Sequence, residues 1–195
     1  DTAVRLVTYD KDSGKFSVTV EHLPDRKVST EQFDWVVVAN GHFSVPNVPY
    51  FPGIETFPGR VMHAHDFRSA DEFKGKDLLV VGASYSAEDI ALQCHKYGAK
   101  SVTMCWRTVP MGFKWPKGMD ERQLLTKVEG RLVHFKDGSS KEFDAIILCT
   151  GYQHHFPFLA DDLKLRTHNR MHPPRLYKGI MWIDNPKLMY LGMQD

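Results

Sequence analysis

At 195 residues the chain is long enough for one large domain or two small ones with a real core. It is 42% hydrophobic, 25% charged and 12% aromatic with a net charge of +1, which leaves no electrostatic footprint for nucleic acid or an anionic membrane. Apolar runs stop at four or five residues, so no segment reads as spanning a bilayer, and no signal peptide is visible.

In chain order, VRLVTY (4–9) and FSVTVE (16–21) flank a turn-rich Asp10–Gly14 and predict a hairpin. Phe33–His42 reads as a buried strand ending at a glycine. Pro46, Pro49, Pro52 and Pro58 then argue for an extended connection and a domain boundary. In the next segment, His63 and His65 would point the same way if both lay on one strand. With no third ligand nearby, they read as structural rather than metal-binding. Metal binding is not expected here, nor at His154-His155 or Asp161-Asp162.

The stretch Lys76–Gly98 carries the clearest chemistry. Leu78–Val81 is an apolar run suited to a strand buried on both faces. Gly82 opens a turn of small residues. An amphipathic helix follows with Ile90, Ala91, Cys94 and Tyr97 on one face, and Gly98 closes it as a C-cap. This is the entry to a dinucleotide-binding βαβ unit, in which small residues let the backbone approach a pyrophosphate at the helix N-terminus. Ser84 and Ala87 stand where the second and third glycines of G-x-G-x-x-G usually fall. The next strand, Ser101–Cys105, ends in Trp106-Arg107-Thr108 rather than in the acidic residue that holds a ribose hydroxyl. An arginine and a hydroxyl there suit the 2′-phosphate of NADPH, although a solvated strand-end arginine is the alternative.

Further on, Lys114–Lys117 beside Phe113 reads as a lid or packed loop rather than a nucleic-acid patch. Residues 131–143 form a second hairpin around Asp137-Gly138, and Phe143–Tyr152 mirrors Phe33–His42. FDWVVVANGH and FDAIILCTGY therefore form an internal repeat of hairpin, Phe-Asp, buried strand and glycine. Cys94, Cys105 and Cys149 lack metal spacing and read as buried reduced thiols of a cytosolic protein. The chain lacks an initiator Met and stops at Gly192-Met193-Gln194-Asp195, and is expected to be a truncated piece of a longer protein, poorly soluble and inactive alone.

Together, the repeat, the NADPH-type turn and Phe57–Phe67 resemble the flavin-containing monooxygenases. Phe57, Gly59, His63 and Phe67 fill that family's F-x-G-x-x-x-H-x-x-x-(Y/F) fingerprint, and Phe67, where Baeyer-Villiger enzymes carry Trp, favours the heteroatom-oxidising branch. Thr150-Gly151-Tyr152 resembles the family hinge and is followed by Phe156-Pro157-Phe158-Leu159. SYSAEDI, RT-x-PMG-x-KWP and GMQD narrow the likeness to the amine-oxidising bacterial group, and it covers essentially the whole chain.

The resemblance implies an α/β fold in which a Rossmann-like NADPH-binding domain (49–157) is inserted in an incomplete FAD-binding Rossmann-like domain (1–48 and 158–195) with β-hairpin or meander elements. It implies FAD and NADPH as cofactors, O2 and a small tertiary amine such as trimethylamine as reactants, and a C4a-hydroperoxyflavin as oxidant. A sulfide or Baeyer-Villiger substrate, or a non-catalytic NADP-binding fragment, stays open. No nucleic acid, membrane or metal is expected, and a homodimer of the full-length protein is. Gly82, Ser84, Tyr85, Ser86, Ala87, Arg107, Thr108, Thr150, Gly151 and Gln194 are the expected cofactor contacts. Tyr85 is also the catalytic candidate, guarding the oxygenated flavin, and Asp195 is the substrate candidate.

Overall fold

The structure, a computed structural model, describes residues 1–166 and 174–193. It divides into two compact units: residues Asp1–Val45 together with the return from Tyr152 onward, and Pro46–Gly151.

The first unit opens with β1 (Thr2–Asp10), β2 (Lys15–His22) and β3 (Val28–Phe33), an antiparallel meander rather than the two-stranded hairpin expected. β4 (Val36–Val38) follows, and the expected buried strand at 33–42 is corrected on two counts. Only three residues are extended, and Val37 is 51% exposed. A strand is buried on both faces only when layers cover both, and β4 lies at the edge of its sheet.

After β5 (Val45–Pro46) the second unit begins its sheet with β6 (Arg60–His63) and β7 (Asp77–Val81). Helix α1 (Tyr85–Lys96) leads to β8 (Ser101–Trp106) and β9 (Met119–Gln123). A second meander, β10 (Leu125–Glu129), β11 (Leu132–Phe135) and β12 (Ser140–Glu142), precedes β13 (Ala145–Leu148), which returns to the sheet centre. The five strands run parallel in the order β6-β13-β7-β8-β9.

Period-two alternation explains why the central strands are apolar throughout. Leu78, Val80, Ala145 and Ile147 face a cluster that includes Ala87, Ile90, Ala91 and Cys94 of α1. Leu79, Val81, Ile146 and Leu148 face the meander's Val128, Val133 and Phe135, together with Phe143 just beyond it. The helix residues fall at i, i+3, i+4 and i+7, one stripe of an α-helix. Tyr97, expected on that stripe, is instead the exposed C-cap. Gly98 follows it with φ of 93°, and bonds from Gly98 N–H to the His95 carbonyl (3.0 Å) and from Ala99 N–H to the Cys94 carbonyl (2.9 Å) complete a Schellman motif.

At the N-terminal edge of this sheet a polar network ties strands to meander. Asp77 accepts from Lys100 Nζ (2.6 Å) and Ser101 Oγ (2.6 Å), and Lys141 Nζ donates to Ser101 and Thr103 (3.0 Å each). Burial works to raise the Asp77 pKa, but these hydrogen bonds and the Lys100 and Lys141 charges outweigh it, and the group lies below its ordinary value.

The chain then re-enters the first unit through β14 (Tyr152–Gln153), β15 (Leu176–Tyr177), β16 (Met181–Trp182) and β17 (Leu188–Tyr190). The last three form a sheet with β4, and β17 runs parallel to β4. Phe156, Leu159, Leu188 and Tyr190 join Val7 and Phe16 in this unit's core, where the Tyr190 hydroxyl donates to the Leu163 carbonyl. None of the described helices is long and apolar enough to cross a membrane.

Candidate functional site

The parallel strands of the second unit place the loops that follow β7, β8 and β13 side by side at one edge. Val81 pairs with both Cys105 and Leu148, so Gly82 and Cys149-Thr150 leave the sheet level with Trp106, the last residue of β8, and Arg107 follows it. Gly82 has φ of 144°, and a Cβ on it would stand 2.3 Å from the Cys149 carbonyl oxygen. Both facts require glycine at the first position of the turn. Ala87, at the third, is fully buried against the sheet and gives the close helix–strand packing that the position demands.

Ser84 is the N-cap of α1, but its side chain makes no capping bond. Its carbonyl instead accepts from Ala87 (2.8 Å) and Glu88 (3.1 Å) N–H. The first-turn N–H groups of Tyr85 and Ser86 thus stand without a cap at the positive end of the helix dipole, an arrangement suited to an anion. Ser84, Tyr85 and Ser86 are exposed, Tyr85 to 79%. Arg107 and Thr108 are exposed at the end of β8, and among the described residues Arg107 has no ion pair. A guanidinium left unpaired beside an uncapped helix suits a second phosphate.

Thr150 and Gly151 are held rather than open. Thr150 Oγ1 donates to the Asn47 carbonyl (2.5 Å), Asn47 Nδ2 donates to the Thr150 carbonyl (3.1 Å), and Asn47 N–H donates to the Gly151 carbonyl (2.9 Å). His63 Nε2 also reaches the Gly151 carbonyl (3.0 Å), while its Nδ1 accepts from His65 N–H (3.0 Å). Burial first, with the His65 charge adding to it, outweighs the Gly151 hydrogen bond and lowers the His63 pKa below its ordinary value, which disfavours the protonated ring. His63 ends β6, and His65 lies in the 3-10 turn Ala64–Asp66, so the two are not strand neighbours pointing one way. Among the described residues no cluster of His, Cys, Asp or Glu could hold a metal.

The other fingerprint residues are structural too. Gly59 lies where a Cβ would meet the Asp144 carbonyl at 2.2 Å. Phe57 is buried in the meander-side cluster, and Phe67 stacks on Phe73 with centroids 6.2 Å apart. Gly59 thus lets the chain entering β6 pass close to the residue before β13. All three cysteines are free and buried, and burial pushes each thiol up to about 12, which makes them inert. Gln194 and Asp195 lie outside the described residues. Asn47 and Glu121, whose carboxylate holds the loop after β8, were not foreseen. Each is a lone polar residue whose partner is distant in sequence.

Residues 2–113, more than half of the chain, match the profile of the FMO-like family, described as flavin-binding monooxygenase-like. The chain is 62% identical over 194 residues to the trimethylamine monooxygenase of Methylocella silvestris, covering 100% of this chain and 43% of that protein. The crystal structure of Tmm from a Pelagibacter species superposes with a TM-score of 0.90 at 57% identity, over 100% of this chain and 44% of that one. The S-allyl-L-cysteine S-oxygenase of Allium sativum gives a TM-score of 0.80 at 31% identity, over 98% and 44%. The chain thus spans less than half the length of these three relatives.

Proposed function

The chain belongs to the flavin-binding monooxygenase-like family, and on that premise we propose that its second unit holds NADPH for a flavoprotein that N-oxygenates trimethylamine or a similar small tertiary amine. The observation that carries the reading is the uncapped helix after Gly82 beside the unpaired Arg107, in a chain 62% identical to a trimethylamine monooxygenase.

In this reading the Gly82 turn and the Tyr85 and Ser86 N–H groups receive the pyrophosphate, and Arg107 and Thr108 receive the 2′-phosphate. Asn47 and His63 fix Thr150-Gly151 so that the neighbouring loop keeps its shape, and Tyr85 shields the reacting ring from water. When bound, the nicotinamide supplies a hydride and the flavin activates O2 for transfer to the amine. We assign NADPH to residues 49–157 and the flavin to 1–48 with 158–195. The described residues of the flavin part are strands and loops with no glycine turn opening a helix.

The test is NADPH oxidation by the full-length protein, with N-oxide formation from trimethylamine and a sulfide panel alongside. Amine-dependent turnover is expected, and sulfide-only turnover would move the reading to S-oxygenation. Arg107→Ala should raise the KM for NADPH about 10- to 100-fold, the value of a lost charge-assisted phosphate contact, and leave that for NADH nearly unchanged. Tyr85→Ala should increase the hydrogen peroxide released per NADPH oxidised, and an unchanged ratio removes Tyr85 from the reaction.

A further inference from the structure

Neighbouring parallel strands are usually joined by a helix that covers one face of the sheet. Between β8 and β9 the chain does this with an irregular loop, Arg107–Gly118. Met111 and Trp115 pack onto the helix-side cluster and take the place of the missing helix. Such a loop must still find partners for its backbone N–H groups. Glu121 supplies them: one carboxylate oxygen accepts from Met111 N–H (2.8 Å) and the other from Gly112 N–H (3.0 Å). Glu121 pairs in register with Met104, which faces the helix side, whereas its neighbour Asp120 bonds Thr103 (2.6 Å), a residue outside that cluster. Strand alternation thus aims Glu121 at the loop. Among the described residues no other hydrogen bond holds Arg107–Trp115, and the Trp115 indole N–H is buried without a partner.

We infer that Glu121 is a positioning residue: it pins the loop that starts with Arg107-Thr108 and thereby sets the preference for a 2′-phosphorylated adenosine. The inference rests on the NADPH reading above. Two bonds from a carboxylate to consecutive N–H groups are charge-assisted, and they fix the loop a few residues from the guanidinium.

The test uses full-length protein and calorimetric binding of adenosine 2′,5′-bisphosphate and of ADP, with trypsin digestion as a second readout. Glu121→Ala should weaken the bisphosphate about 10-fold and ADP less than about 2-fold. Glu121→Gln, which keeps one acceptor oxygen, should fall between wild type and Glu121→Ala. Trypsin should cut faster after Lys114 and Lys117 in Glu121→Ala. Unchanged bisphosphate affinity in a variant that melts like wild type overturns the inference, as does equal weakening of both ligands. If Arg107→Ala weakens the bisphosphate and Glu121→Ala does not, the inference fails alone. If wild type binds both ligands equally, the NADPH reading fails and takes the inference with it.

Discussion

Phe33-Asp34 and Phe143-Asp144 begin the same structural phrase. A three-stranded meander leads into each (Phe33 ends β3 and Phe143 follows β12), a short apolar strand comes next, and a glycine of positive φ closes it, Gly41 at 73° and Gly151 at 76°. Their surroundings differ. Phe143 is 1% exposed and Phe33 42%. β13 lies between β6 and β7, with the helix on one face and the meander on the other, whereas among the described residues β4 pairs only with β17. Asp144 accepts the Asp77 N–H (2.8 Å) and pairs with Arg131, tying its meander to the sheet edge, whereas Asp34 pairs with Lys15 at the surface (3.0 Å). The local pattern sets where a strand starts and stops. The neighbours set what that strand is worth.

The largest expected effect tests this directly. Phe143→Ala should destabilise by about 3–5 kcal/mol, as for a buried aromatic, and Phe33→Ala by less than about 1 kcal/mol, compared by urea unfolding. Equal losses would mean that the first strand is covered as fully as the second. Next come the aspartates. Asp144→Ala should cost about 1.5–3 kcal/mol, since it leaves a strand N–H without its charged acceptor, while Asp34→Ala removes a surface pair worth about 0–1 kcal/mol.

The smallest effect concerns the glycines. The second has a histidine on its carbonyl, and the His63 pKa lies below its ordinary value of 6.5. Between the two values the unfolded chain binds the extra proton, so this contribution is complete above about pH 6.5 and declines as pH falls below it. Thermal melts at pH 8 and pH 5.5 should show a smaller drop for His63→Asn than for wild type. Equal drops would show that His63 does not titrate with folding.

Much of the site could be read in advance because it is local. A run of four apolar residues, a glycine, small residues and a 3.6-period stripe specify strand, turn and helix over Leu78–Cys94, and Arg107-Thr108 follows the next strand by simple counting. What escaped was non-local. The strand of each meander that was not expected, β3 in the first and β10 in the second, has an unremarkable, largely polar sequence, VSTEQF and LTKVE. The exposure of β4, the Asn47 bonds to Thr150-Gly151, the reach of His63 and the Glu121 carboxylate beneath its loop join residues that are far apart along the chain or depend on which face a strand turns inward.

By itself, then, the sequence determined the two Phe-Asp repeats, the glycine turn and its helix, and the chemistry offered at the end of β8. Hydrogen-bond periodicity and backbone sterics act over a few residues and are written there. The tertiary structure decided which repeat is buried, what the fingerprint histidine holds, and how a loop without a helix is kept in place. Burial and side-chain pairing depend on which strands become neighbours, and that order, β6-β13-β7-β8-β9, exists only once the chain has folded back on itself.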